Sequence, residues 1–513
     1  MGNGHAAVNV EREVKFGASL DLELPDLRQL GIGVVQLPAQ TLSTSYFDTP
    51  DLRLWEQRIT LRHRLGEGAE GGTWTLKLPG EPAPDALNRT ELSWPGPPGD
   101  IPPEATELTR GIVRRQVLQR IAVLESERRR VLLQSGGAPL GEIDDDVVAV
   151  AGGDRTGVTF RQIEFELAPG REDPRTDPAA IDAVLTAIKG AGAHVDREQK
   201  FAKALGTGAL PPATKVGPRS TLRSVMQDAL AGQLERILEF DVQLRLDPED
   251  PPERAVHQAR VATRRLRSDL KTFRPVLDPV WTRHTRSELQ WIGTLLGAVR
   301  DVDVLGQRLP VPTGSESAAR ARGADELRSR LAARRRAGSS ELARALRSER
   351  YLNLLDRLHA GASSPRFFSP AGRPDEPARD TLPRLLGTHW KKLRRRMEHA
   401  GADPTDTELH RIRIGAKQLR YGAEVAEPVL GKAARRTARR AEDVQTVLGD
   451  HHDAVTAVQW LEQMPVVATT EASFVAGGVA ADARRQQAAL RRQWTHTRSA
   501  LERRRVTDWL RGT

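Results

Sequence analysis

The texture of this chain changes once, near residue 210, and that change sets the fold class on either side of it. Before it, apolar and polar residues alternate in short runs: VNVEREVKF (8–16), TSYFDT (44–49), ITLRHRL (59–65), TWTLKL (73–78), TELSW (90–94), RRVLL (129–133) and RQIEFEL (161–167). Period-two alternation, aromatic and β-branched residues and intervening Gly/Pro turns predict an antiparallel sheet. Helical spacing interrupts it around 105–122 and 178–191. The Gly/Pro-rich stretch 206–220 reads as a linker, and beyond it Ala/Leu/Arg/Glu segments at helical spacing fill 220–513, broken by loops at 309–318 and 361–381. The expected organisation is a sheet domain over 1–206, a linker over 207–219 and an all-α domain over 220–513.

With 513 residues the chain is roughly three times the ~150 of a typical domain, which agrees with more than one core. There is no cysteine, so disulfides, thiol nucleophiles and cysteine-bearing metal sites are excluded. No apolar run approaches the ~18 residues of a membrane span. The first sixteen residues lack a basic start followed by an apolar stretch, so membrane insertion and secretion are not expected and the expected location is cytoplasmic.

The net charge of +10 is unevenly spread. Residues 1–200 hold 23 Lys+Arg and 31 Asp+Glu, a balance of −8, which leaves 55 basic and 37 acidic residues, +18, in the remainder. A basic half favours a polyanionic partner: nucleic acid, anionic membrane or phosphate polymer.

The helical half repeats itself. HQARVATRRLR (257–267) and HRIRIGAKQLR (410–420) carry basic or histidine residues at offsets 0, 3, 7 and 10, and LLGAVRDVD (295–303) matches VLGDHHDAV (447–455). His257 to Gly297 is 40 positions and His410 to Gly449 is 39, so two anchors recur at nearly one separation. The reading is a duplicated helical unit with a period near 153 residues, about 220–365 and 380–513, forming two four-helix bundles.

In the sheet half, Glu11, Glu13 and Lys15 alternate along one strand and share a face, as do Arg62 with Arg64, Glu164 with Glu166, and Arg89 with Glu91; Lys77 is in phase with Thr75 and out of phase with Trp74. Taken singly, each pair reads as the solvated face of an amphipathic strand. In a closed barrel the same face turns inward, and charges line an interior only when a ligand or metal compensates them. Clustered Lys and Arg suit a chain of phosphates, and clustered carboxylates suit a hard cation such as Mg²⁺ or Mn²⁺, which bridges phosphate oxygens and activates water.

The run Glu11-x-Glu13-x-Lys15, continued by YFDTPDLRL (46–54), RHR (62–64), TLK (75–77), RTE (89–91), EFE (164–166) and EQKFAKAL (198–205), resembles the CYTH, or triphosphate tunnel metalloenzyme, superfamily across residues 7–206. The resemblance implies an eight-stranded antiparallel tunnel. It implies Lys15, Arg62, Arg64, Arg89, Lys77 and Lys200 as phosphate ligands, with an arginine of ERRR (127–130), taken as Arg128. It implies metal at Glu11, Glu13, Glu164 and Glu166, with Asp144 or Asp146 of GEIDDD (141–146) added. Catalysis would fall to Glu11, Glu13, Lys15 and Lys77. Lys203 stands where relatives often carry arginine.

At 100° per residue, offsets 0, 3, 7 and 10 fall within an arc of roughly 80°. His257, Arg260, Arg264 and Arg267 therefore form one stripe, and His410, Arg413, Lys417 and Arg420 its repeat. One stripe alone reads as a solvated basic face; its recurrence favours a groove for a long polyanion. The pattern, with the following Leu-Gly, resembles the CHAD (conserved histidine α-helical) domain over about 220–510, and the resemblance implies binding of inorganic polyphosphate and association with polyphosphate granules. GDHHDA (449–454) superficially matches a phosphoesterase metal motif at Asp450, His451, His452 and Asp453, but it lies in a helix and its counterpart GAVRDV (297–302) lacks both histidines.

The expectation is a metal-dependent triphosphatase, inorganic triphosphate its leading substrate, tethered to a polyphosphate-binding module. Three rivals stand beside it: a non-catalytic polyphosphate binder, a nucleotide cyclase, and a nucleic-acid binder. Against the last, aromatics are only 4% and no stacking platform is evident.

Overall fold

A computed structural model describes residues 7–68, 70–80, 87–152, 155–168, 177–196, 198–206, 215–309, 318–368, 373–463 and 469–510. The chain separates into two compact units, Met1–Pro211 and Pro212–Thr513.

Among the described residues the first unit has ten strands: β1 (Ala7–Ala18), β2 (Gly33–Gln36), β3 (Gln40–Asp48), β4 (Thr60–Leu65), β5 (Thr73–Pro79), β6 (Leu87–Pro95), β7 (Gln119–Ser135), β8 (Ala138–Gly152), β9 (Thr159–Leu167) and β10 (His194–Val195). Pairing runs β1–β6–β5–β4–β3–β7–β8–β9 and returns to β1, antiparallel throughout. Strand β1 closes the ring because its first half, Ala7–Glu13, pairs with β6 while Glu13–Ala18 pairs with β9. Eight strands thus enclose a barrel; β2 adds to β7 and β10 to β1.

Alternation sorts the side chains between two faces. Ile143, Ile163, Phe165, Val131 and Leu133 point outward and pack with Val184 and Ile188 of helix α3, the third of four short helices: α1 (Arg53–Glu56), α2 (Pro103–Val113), α3 (Pro178–Gly190) and α4 (Lys200–Leu205). Inside, one end of the barrel is filled by Tyr46, Leu124, Val148 and Val150 packed on Phe201 and Ala202 of α4. Phe201 sits 5.2 Å from Tyr46 and 5.4 Å from Trp55, ring centre to ring centre. The helix expected over 105–122 stops at Val113, because Arg114 takes a left-handed φ of 57° and β7 begins at Gln119.

The second unit is helical: α5 (Leu222–Leu246), α6 (Glu253–Thr272), α7 (Pro279–Gly306), α8 (Ala318–Arg347), α9 (Glu349–Ser363), α10 (Ala378–His399), α11 (Asp406–Leu430), α12 (Lys432–Glu462) and α13 (Thr470–Glu502). At a spacing of 153 residues, helices α5 to α8 correspond in order to α10 to α13. The bundles differ in their fourth member. Helix α9 packs with α5, α6 and α7 around Leu244, Leu296 and Leu355, whereas α10, α11 and α12 are joined by the C-terminal turn at 504–510, whose Val506 carbonyl accepts from Thr437. Helices α8 and α13 pair with each other and share a core of Leu327, Leu331, Val475 and Ala476 with the ends of α7 and α12. Among the described residues no helix is long and apolar enough to cross a membrane.

Candidate active site in the barrel and a basic cluster in the helices

Cross-strand register brings the predicted charges to one interior. Directly opposed residues share a face, and the opposed pairs include Lys15–Glu164, Asp144–Glu164, Glu13–Glu166, Arg128–Asp146, Lys77–Glu91 and Arg89–Glu11. Their inner faces surround a cavity of about 230 Å³ lined by Arg62, Arg64, Lys77, Arg128, Asp144 and Glu164, with Glu67, Glu91, Glu142, Glu166 and the hydroxyls of Thr73 and Thr75.

The charges are interlocked. The Arg128 guanidinium donates to both oxygens of Asp146 at 2.8 and 2.7 Å and also reaches Asp144. Lys200, carried in by α4, stands 2.5 Å from Asp146 and 2.9 Å from Glu164. Lys15 lies 2.6 Å from Glu164 and 3.0 Å from Glu13. Lys77 pairs with Glu91, which Arg62 also approaches at 3.7 Å, and Arg64 donates to Glu67 at 3.0 Å.

Electrostatics follow from that packing. Burial pushes the Glu164 carboxyl upward, but Lys15, Lys200, Arg128 and Lys77 outweigh it and hold the group well below the usual range. Asp146 is likewise brought down to about 2 by Lys200 and Arg128 against its burial. Asp144 goes the other way, to about 6, because burial and the neighbouring Asp146, Glu142 and Glu164 outweigh Arg128. Arg64 is pushed down by burial and by Arg62 and Arg128. The pocket therefore holds arginines crowded against one another, which favours an incoming polyanion.

The predicted residues of the barrel other than Glu11 have definite places. Arg62, Arg64, Lys77, Arg128, Asp144, Glu164 and Glu166 line the cavity. Glu13, Lys15, Asp146 and Lys200 are packed behind that lining, and Arg89 is buried beside it on the same face of β6. Strand β1 sets Glu11 opposite Arg89; its side chain lies outside the described residues. Lys203 pairs with Asp196 and lies over the Phe160 ring at 5.2 Å, anchoring α4. In GEIDDD the inward pair is Asp144 and Asp146, while Asp145 turns outward to a bidentate pair with Arg161. Sequence reading omitted Arg130 and Glu142, each two positions from a predicted residue and so on the same face, which bond to each other at 2.8 Å. It also omitted Glu67, which sits in a Gly66–Gly68 turn with no periodicity to reveal it.

In the helical unit the two stripes meet. Arg260 and Arg264 of α6 converge with Arg413 and Lys417 of α11, and Arg264 donates to the Tyr421 hydroxyl at 3.0 and 2.7 Å. Burial and the three arginines push Lys417 down to about 6. The repeated glycines take equivalent places, Gly297 against the Arg260 guanidinium and Gly449 against that of Arg413. His410 meets His452 in a tilted contact, ring centres 4.4 Å apart, beside Arg413, and His257 faces Arg260, Arg264 and Arg300. Arg420 instead pairs with Glu424 at 2.6 Å and Glu442 at 2.9 Å, and Arg267 donates to Gln290 at 3.2 Å. The GDHHDA side chains diverge, His451 toward Asp406 and His452 toward His410, and among the described residues no three His, Asp or Glu groups are drawn together as a metal cage.

Family models match a CYTH domain at residues 9–186 and a CHAD domain at 228–462. The chain belongs to the CYTH–CHAD family. Uncharacterized protein MT2285 of Mycobacterium tuberculosis (strain CDC 1551 / Oshkosh) is 33% identical over 485 residues, covering 90% of each chain. The CHAD domain from the plant Ricinus communis is 25% identical, with a TM-score of 0.45 over 57% of this chain and 97% of that one. HpAC1 from Hippeastrum, described as having a dominant triphosphatase activity, is 19% identical, with a TM-score of 0.23 over 39% of this chain and 98% of that one. The CYTH domain thus holds the charged cavity and the CHAD domain the basic cluster.

The CYTH carboxylates are of the donor type that Mg²⁺ and Mn²⁺ prefer, although among the described residues no three of them are drawn together as a metal cage. Buried Glu13 Oε1 and Asp144 Oδ1 accept no well-aligned hydrogen bond, their cationic neighbours being Lys15 at 3.0 Å and Arg130 at 3.5 Å. Asp146 differs, both of its oxygens being committed to Arg128 and Lys200.

Proposed function

We propose that the CYTH domain hydrolyses inorganic triphosphate and that the CHAD domain binds inorganic polyphosphate. The observation that carries the first half is the closed barrel interior, where Arg62, Arg64, Lys77 and Arg128 surround one cavity that also presents Asp144, Glu164 and Glu166. Phosphate binding alone requires the cations; paired carboxylates on the same wall add a place for Mg²⁺ or Mn²⁺ at Glu13, Asp144, Glu164 and Glu166, with Glu11 beside them in sequence. When bound, such an ion polarises phosphoryl oxygens and lowers the pKa of water.

The residues of the chain do the rest. Arg62, Arg64 and Arg128 offer forked donors to non-bridging oxygens, and Lys77 adds a point charge, with Lys15 and Lys200 behind. As water bonds to the terminal phosphorus and the bridging P–O bond breaks, charge moves onto the departing pyrophosphate. Fixed guanidinium groups stabilise that charge without reorganising. Packing of α4 on Tyr46 and Trp55 closes one end against bulk water. A cavity of about 230 Å³ falls below the roughly 300–1,000 Å³ of sites for larger organic ligands, which favours an inorganic chain over a nucleoside triphosphate.

For the CHAD domain, four cations crowded between α6 and α11, one of them a lysine brought down to about 6, describe a site that gains on meeting a linear polyanion. The test is phosphate release from inorganic triphosphate, ATP and thiamine triphosphate with Mg²⁺ or Mn²⁺, with cyclic AMP measured in parallel. Selective turnover of inorganic triphosphate supports the reading. Cyclic AMP from ATP replaces it with a cyclase, and polyphosphate binding without any turnover replaces it with a binding protein.

A further inference from the structure

Beyond the central cluster, α6 continues its stripe. Lys271 is fourteen residues after His257 and so returns to the same arc of the helix. Around it gather Arg267 on α6, Arg286 on α7, and Lys392 and Arg396 on α10, the groups that press on its ammonium along with its partial burial. Arg286 is itself crowded by Arg267 and Arg274. The Nε atoms of Arg267 and Arg286 are buried without a hydrogen-bond acceptor, and among the described residues no carboxylate forms an ion pair with any of these five cations.

The duplication supplies an internal control. A shift of 153 residues, the distance from His257 to His410, carries Lys271 onto Glu424, Arg267 onto Arg420 and Lys392 onto Glu239. At that equivalent place Arg420 is neutralised by Glu424 at 2.6 Å and Glu442 at 2.9 Å, and Glu424 also holds Arg265. One end of the pseudo-symmetric α6–α11 pair is therefore a cluster of uncompensated cations, and the other is a set of closed ion pairs.

We infer that Arg267, Lys271, Arg286, Lys392 and Arg396 form a second anion subsite, which takes the continuation of a phosphate polymer leaving the central cluster on this side and not on the other. The inference rests on polyphosphate binding by the CHAD domain and adds a direction and a minimum chain length to it. A short chain fills the central cluster alone; a long chain engages both. Each phosphate contact at a linear polyanion releases roughly 0.7 to 0.9 of a counterion, so the subsite also sets part of the salt dependence.

The experiment uses the full chain in EDTA and two probes: a polyphosphate of about 100 units, and inorganic tripolyphosphate, for which only the binding removed by Lys417→Met is counted because the barrel also takes it; affinities are measured from 50 to 200 mM salt. The variant K392S/R396S removes two exposed cations and leaves the core untouched. A control, R484S/R485S on α13, lowers the net charge equally at exposed positions away from α6 and α10. The expected result is a loss of about tenfold in long-chain affinity, a salt slope shallower by about 1.5, unchanged tripolyphosphate binding, and no effect of the control. K271E, which copies Glu424, gives the same pattern. Equal loss for both probes, or equal loss from the control, overturns the subsite while leaving polyphosphate binding intact. Failure of the unaltered chain to bind the long probe at all overturns the binding reading and the subsite with it.

Discussion

Replacing Lys417 by methionine separates stability from binding in the CHAD cluster. A free lysine titrates near 10.5, and burial with Arg264, Arg413 and Arg260 brings Lys417 down to about 6. Between those limits the unfolded chain holds a proton that the folded chain has released. Stability from this group therefore rises with pH from about 6 to 10.5, and the full penalty stands below 6. At pH 7 the interval up to 10.5, at about 1.36 kcal/mol per pH unit, sets an upper bound of about 5 kcal/mol. Rearrangement of the arginines and counterions reduces that bound to an expected gain of roughly 1–3 kcal/mol for Lys417→Met, which keeps the volume and removes the charge. Polyphosphate binding reverses the preference, because a polyanion favours the protonated amine. Affinity for the unaltered chain should then rise as pH falls from 8 to 6, and the variant should bind about tenfold more weakly at pH 6 with a flatter profile. The assay is chemical denaturation without ligand and calorimetric titration with polyphosphate across that range. A variant that is no more stable and binds unchanged at pH 6 would refute the cluster's electrostatics.

Arg128→Ala leaves Asp146 buried without its bidentate partner and removes a cation from Asp144, and a loss of about 3–5 kcal/mol in denaturation is expected together with loss of triphosphate turnover. Phe201→Ala, at the plug between Tyr46 and Trp55, should lower stability by about 3–5 kcal/mol and loosen the helix that carries Lys200. Lys203→Ala should keep turnover close to that of the unaltered chain, since Lys203 is held by Asp196 and Phe160 outside the cavity. Chelation by EDTA should stop phosphate release, and added Mg²⁺ or Mn²⁺ should restore it.

The barrel was legible because its charges obey a period of two. Glu13 with Lys15, Arg62 with Arg64, and Glu164 with Glu166 could share a face only on strands, and the registers place Glu13 opposite Glu166, Lys15 opposite Glu164, and the two arginines opposite Thr75 and Thr73. The same rule hid β7: its inward residues Ser126, Arg128 and Arg130 alternate with Glu127 and Arg129, so the strand reads as a charged run and only RRVLL showed an apolar face. Glu67 was invisible because a turn residue has no periodicity. In the CHAD domain the duplicated stripes located the central cluster, but two departures needed tertiary neighbours. Arg420 is claimed by Glu442 from α12, and Lys271 joins Lys392 and Arg396 from α10. Neither relation exists within a single helix.

The most direct test of the central claim is product-resolved ³¹P NMR of inorganic triphosphate incubated with Mg²⁺ and either the unaltered chain, Lys77→Met or Lys417→Met. The account predicts conversion to phosphate and pyrophosphate by the unaltered chain and by Lys417→Met, and almost none by Lys77→Met. Turnover by Lys77→Met at the unaltered rate, or its loss in Lys417→Met alone, would contradict the assignment of hydrolysis to the barrel.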